Sequence, residues 1–205
     1  MPGKGLGYSK IGMAKYNIIY IEDNPTDYEM VKAILEEKDL LKEMVRVEKK
    51  EELIKAMDSF VFDIVLTDYS LPVFHGLEAM RIVIEKFPEK PIIMITGNLP
   101  DEIAVDVIKQ GAWDYVLKEN VYRLVPSIKA VMERVQMIKE KAQTLEALKE
   151  QEENYRILAE SSPYGIVVHS KGKVLYHNKK AAEIFEEGDG FLGIDLAEYL
   201  HPEYK

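Results

Sequence analysis

Five polar residues stand immediately behind four short apolar runs. Glu22 and Asp23 follow residues 17–21, Asp68 follows 62–67, Thr96 follows 91–95, and Lys118 follows 113–117. Three carboxylates gathered in one crevice repel each other, and their pKa values rise unless a cation neutralises them. An all-oxygen ligand set selects a hard ion, and few protein ligands with room for water favour Mg²⁺ over Ca²⁺. A lysine and a threonine hydroxyl at the same place supply the point charge and the hydrogen-bond donor that a phosphoryl group needs. Together these side chains spell metal-assisted phosphoryl transfer with one carboxylate as acceptor. Taken singly they are bland: Glu22-Asp23 before Asn24-Pro25 suits a turn that caps a helix, Thr96-Gly97 an ordinary turn, and Lys118 a solvated side chain. The chemistry requires that one rim collect all of them.

The elements between them predict that it does. The runs 17–21, 43–47, 62–67, 91–95 and 113–117 have the near-continuous apolar character of strands buried on both faces. Between them, residues 26–37, 51–57, 77–87 and 101–110 carry apolar positions at helical spacing, and a further helix starts near Val121. Strands alternating with helices imply βαβ units, and right-handed crossovers imply an open, doubly wound parallel sheet. Such a sheet presents its ligand site beyond the C-terminal strand ends, where the polar positions stand.

The segments Ile-Glu-Asp-Asn-Pro (21–25), Val-Leu-Thr-Asp-Tyr-Ser-Leu-Pro (65–72), Ile-Thr-Gly (95–97) and Tyr-Val-Leu-Lys (115–118) resemble, in order and spacing, the receiver domain of two-component response regulators over about residues 16–140. The resemblance implies a flavodoxin-like α/β fold with five parallel strands in the order 2-1-3-4-5. It implies that Asp68 accepts a phosphoryl group from a sensor histidine kinase or phosphotransfer protein. Mg²⁺ is then held by Glu22, Asp23 and Asp68 with the backbone carbonyl of Ser70. Thr96 bonds a phosphoryl oxygen, Lys118 pairs with it, and Tyr115 is the aromatic switch that turns inward when Thr96 moves. Ser70 and Asn98 occupy positions that tune hydrolysis. The family commonly has Asp where this chain has Glu22, so contact between Glu22 and the ion is expected through water. No catalytic activity beyond phosphoryl uptake and autodephosphorylation is expected.

Composition sets the outer bounds. The 205 residues carry 27 Lys and Arg against 36 Asp and Glu, a formal charge of −9 that disfavours direct nucleic acid binding. Absence of cysteine removes disulfides, zinc–thiolate sites and thiol catalysis. No apolar run approaches the roughly 18–20 residues of a membrane span, and a cytoplasmic protein is expected. His75 lacks partners for a metal site, Met44, Met57, Met80 and Met94 suit a core, and Trp113 suits packing near the fifth strand.

Four regions are expected: a flexible leader at 1–15, the receiver at 16–127, a helical coiled-coil linker at 128–158, and a partial PAS domain at 159–205. Ile128, Val131, Val135, Ile138, Ala142 and Leu145 step by three and four residues along a seam that Leu148 and Tyr155 continue after a shift of frame. Packing on the sheet accounts for the helix near Val121 to Ile128; beyond Lys139, where mixed charges surround the seam, little domain is left to cover, and a parallel homodimer through 128–158 is expected. Residues 164–169 and 173–177 flank Lys171-Gly172 as a hairpin, and Asn178 can cap the short helix that follows. With the loop around His201-Pro202, this order resembles the first half of a PAS sensor domain and implies a longer parent protein. Two other readings stand beside this one: the N-terminal fragment of a hybrid PAS sensor histidine kinase, and a receiver scaffold that dimerises without phosphorylation.

Overall fold

The computed structural model describes residues 14–72, 74–97, 101–185 and 192–195, with the backbone alone at 101–103. Most of the expected leader, as well as Asn98, His201 and Pro202, lie outside the described residues. Five strands, β1 (Tyr16–Ile21), β2 (Leu41–Val47), β3 (Ile64–Asp68), β4 (Ile92–Thr96) and β5 (Asp114–Leu117), alternate with α1 (Pro25–Glu37), α2 (Lys50–Ser59), α3 (Gly76–Lys86) and α4 (Asp101–Lys109). A 3-10 turn (Lys118–Arg123) leads into α5 (Leu124–Glu160). The strands form one parallel sheet in the order β2-β1-β3-β4-β5. Fold class and strand order are those the sequence predicts.

Strand alternation divides the core in two. Ile18, Tyr20, Ile64, Leu66, Ile93 and Ile95 face one side, where they meet Val31 and Leu35 of α1 and Leu124, Ile128 and Val131 of α5. Ile19, Ile21, Val65, Ile92 and Met94 face the other side, against Leu53 and Met57 of α2, Met80 and Val83 of α3 and Val107 of α4. Where both faces are covered, as at β3 and β4, the strands are continuous buried runs, whereas the edge strand β2 carries Lys42, Glu43 and Arg46. Trp113 packs along the edge of the first layer with the Arg134 guanidinium 5.0 Å from its ring centroid, a cation–π contact.

The described residues divide into two compact units between Ile138 and Lys139. That break falls inside α5, a continuous helix of 37 residues, so the receiver's packing does not stop at residue 127. Leu124, Ser127, Ile128, Val131 and Val135 are buried, whereas Ile138, Leu145, Leu148 and Tyr155 are 53–64% exposed. The first three positions of the expected dimer seam are therefore core residues of the sheet layer, and the unpartnered stripe begins at Ile138.

In the C-terminal unit, β6 (Val167–Ser170) and β7 (Lys173–His177) pair antiparallel. Lys171 and Gly172 have φ of 49° and 82°, the pair of left-handed residues that a two-residue hairpin turn demands. Asn178 is fully buried and saturated. Its Oδ1 accepts from the backbone N–H of Ile166 (2.8 Å) and Ala181 (2.9 Å), and its amide nitrogen donates to the carbonyls of Ala159 (2.7 Å) and Tyr164 (2.9 Å). One side chain thus caps α6 (Lys179–Phe185) and ties it to the hairpin and to the end of α5.

Candidate functional site

Strand register brings the polar positions together. Ile21 pairs with Thr67, Asp68 with Ile95, and Thr96 with Leu117. Glu22, Asp68, Thr96 and Lys118 therefore lie side by side at the C-terminal rim, each at or just beyond its strand end. Glu22 and Thr96 are fully buried and Asp68 nearly so, while Asp23 is exposed. Tyr115 pairs with Met94, one pleat below the rim, and is partly buried against the α2–α4 core layer.

Local structure fixes each group. The Asn24 side chain accepts from the Thr26 N–H at 2.9 Å and Pro25 opens α1, so the chain turns sharply after Asp23 and leaves both acids at the rim. After β3, the Ser70 N–H donates to Asp68 Oδ1 at 3.1 Å. Gly76 starts α3 against this loop, where a Cβ would lie 2.1 Å from the Asp68 carbonyl oxygen. Glycine alone allows the helix to approach so closely. His75 is the N-cap of α3: its Nδ1 accepts from the Leu77 N–H, and its ring meets Tyr69 edge-on.

Lys118 sits at the centre. Its Nζ donates to Asp27 Oδ2 (2.5 Å), Asp68 Oδ2 (2.7 Å) and Glu22 Oε2 (3.0 Å), engaging all three N–H groups. Burial pulls the Lys118 ammonium down, but the hydrogen bonds to Asp27, Asp68 and Glu22 outweigh it and hold the pKa well above that of a free lysine. Burial pushes the Glu22 carboxyl up, against hydrogen bonds from the Tyr20 hydroxyl (2.8 Å), Lys118 and the Asn24 N–H (3.1 Å). Burial, reinforced by the neighbouring Glu22 charge, also raises the Tyr20 phenol far above its usual range, so it remains a donor.

With Asp23 included, four carboxylates face one ammonium, leaving uncompensated negative charge. Carboxylate oxygens of Glu22, Asp23 and Asp68 lie within 4.8 Å of one another. A donor set of hard oxygens, close together and in charge excess, fits a small divalent cation. The residues present therefore suit Mg²⁺.

Comparison with known proteins decides the family. Residues 18–129 match the model of the response regulator receiver domain, more than half of the chain. The chain belongs to the response regulator receiver family. The chemotaxis protein CheY of Listeria monocytogenes is 30% identical over 101 residues, spanning 49% of this chain and 84% of the relative. The transcriptional regulatory protein DegU of Brevibacillus brevis is 27% identical over 118 residues, 57% of this chain. The chain spans half the length of that relative. A receiver domain protein from Clostridium thermocellum has the same fold, with a TM-score of 0.53 at 24% identity over 60% of this chain and 98% of the other. Residues 153–205 match a PAS domain model. The receiver is thus a two-component signalling module with a PAS region linked behind it.

Two members of this receiver's rim escape a reading of the sequence. Asp27, the third residue of α1, looks like an ordinary acid at a helix N-terminus, and Tyr20 looks like a core strand residue. Only the three-dimensional reach of Lys118 and the fold-back of Glu22 reveal them as site partners.

Proposed function

We propose that Asp68 is the phosphoacceptor of this receiver and that phosphorylation there drives signalling through α5. The observation that carries the reading is the Lys118 ammonium bridging Asp68 and Glu22 at a rim where Thr96 is also buried. Asp23, Asp68, Glu22 and the Ser70 carbonyl would hold Mg²⁺, which would supply neutralisation of the phosphoryl oxygens. One Asp68 oxygen attacks the phosphorus of a phosphohistidine on a sensor kinase or phosphotransfer protein. With the other ring nitrogen of the phosphohistidine protonated, the new P–O bond forms as the P–N bond breaks, and neutral imidazole departs with the electron pair. The Thr96 hydroxyl donates to a phosphoryl oxygen and Lys118 pairs with another. Loss of the group is hydrolysis: water attacks phosphorus, the bond to Asp68 breaks, and phosphate and a proton leave.

Thr96 moving toward the phosphoryl group frees the space into which Tyr115 turns, and the faces of α4 and β5 change with it. A phosphoryl group shifts such an equilibrium only through the contacts it makes in one state and not the other. α5 leaves from the rim side of β5 and carries the change outward. Its stripe from Ile138 to Tyr155 supports a homodimer formed through the outer part of this helix. No helix among the described residues is long and apolar enough to cross a membrane, in keeping with a cytoplasmic signalling role.

Incubation of the full chain with Mg²⁺ and a small phosphodonor, followed by intact mass measurement, tests the acceptor. Wild type gains one phosphoryl mass and Asp68→Asn gains none. An equal gain in both rejects Asp68. The exposed stripe also favours a second reading, a scaffold that dimerises irrespective of phosphorylation. That reading predicts self-association of Asp68→Asn equal to that of wild type in the presence of phosphodonor.

A further inference from the structure

Lys118 has three N–H donors and all three are committed, to Glu22, Asp27 and Asp68. A phosphoryl oxygen arriving on Asp68 needs one of them. The three bonds differ in what their loss leaves behind. The Glu22 carboxylate is wholly shielded from water, so removing Lys118 leaves it with the Tyr20 hydroxyl and the Asn24 N–H but without the ammonium's counter-charge. The bond to Asp68 keeps the ammonium beside the incoming group. The Asp27 side chain is 24% exposed, and water can replace the donor it loses. Asp27 reaches Lys118 from the first turn of α1, a different element from the strand ends that carry the other two acids.

We propose that Asp27 is a positioning residue: it holds Lys118 in the resting receiver, is the partner released when Asp68 is phosphorylated, and so competes with the phosphoryl group for the lysine. The inference rests on Asp68 being the acceptor. A purely structural Asp27, present only to complement the N-terminus of α1, would act on helix stability and leave the phosphoryl site unchanged.

Beryllofluoride, a phosphoryl mimic, titrated calorimetrically with Mg²⁺ into the full chain provides the test. Asp27→Asn binds it about fivefold more tightly than wild type, the equivalent of a partly exposed ion pair worth ~1 kcal/mol. Glu29→Gln, an exposed acid of the same helix, removes the same charge and leaves affinity unchanged. In a Lys118→Met background, Asp27→Asn gives no gain. Unchanged or weaker binding by Asp27→Asn overturns the proposal, as does a gain that persists without Lys118, which is bulk charge alone. A second reading does not depend on affinity. In ¹⁵N-labelled protein, the Lys118 ammonium resonance, identified by its loss in Lys118→Met, moves in Asp27→Asn toward its position with beryllofluoride. No movement, or movement the opposite way, overturns the proposal. Failure of wild type to bind beryllofluoride at all rejects the acceptor itself, an outcome separate from a wild type that binds and an Asp27→Asn variant that binds no better.

Discussion

The two halves of α5 carry the same sequence signal and have opposite fates. From Leu124 to Val135, apolar residues spaced by three and four bury themselves against β1, β3, β4 and β5. From Ile138 to Leu145 the same spacing continues, Leu148 and Tyr155 follow after a shift of frame, and these large side chains are exposed. The first half is finished by its own sheet, whereas among the described residues the second keeps large apolar side chains exposed. Periodicity specifies a face, not what will cover it. The proposed signalling role would use both: one half packed on the layer that holds β5, the other available for assembly.

Substitutions along α5 separate the halves. The largest expected effect is at Ile128, which is fully buried. Ile128→Ala removes core methylenes and destabilises the receiver by about 2–4 kcal/mol, read as a lower urea midpoint with unchanged slope. Leu145→Asp combined with Leu148→Asp leaves that midpoint in place. It weakens self-association tenfold or more, ~1.4 kcal/mol, measured by sedimentation. Loss of receiver stability in the outer double variant would break the distinction between the halves.

Charge at the rim offers a second comparison, since four carboxylates gathered around one ammonium repel one another. Without divalent ions, Asp68→Asn relieves repulsion among the acids and raises the melting temperature, by a shift equivalent to about 1 kcal/mol. Mg²⁺ stabilises wild type by mass action and stabilises Asp68→Asn less. The smallest effect is Leu145→Ala alone, within about 0.5 kcal/mol of wild-type receiver stability.

Much of this was legible in the residues. The doubly wound sheet follows from five apolar runs, and the rim follows from the polar groups behind them, because buried parallel strands leave their C-terminal ends as the place where polar side chains escape the core. The hairpin was legible at Lys171-Gly172 and the cap at Asn178, since left-handed turns and helix starts restrict residue type. The capping role of His75 is not legible, because histidine is an uncommon cap. Asp27 and Tyr20 were invisible for another reason: an acid in a first helical turn and an aromatic in a strand each have an adequate local explanation. Their roles arise from contacts with Lys118, 91 residues from Asp27 along the chain, and with the buried carboxylate of Glu22. The extent of the core along α5 is partly legible: the apolar spacing does not mark Val135, but the charged residues from Lys139 onward mark a solvated helix.

The most direct test of the account locates the phosphoryl group chemically. Borohydride reduces an acyl phosphate to an alcohol, so a phosphorylated aspartate becomes homoserine and can be placed by peptide sequencing. After treatment with Mg²⁺ and a phosphodonor, the account predicts homoserine at position 68 and none there when the ion is chelated. Homoserine at position 23 or 27, or conversion at 68 that is indifferent to Mg²⁺, would contradict it.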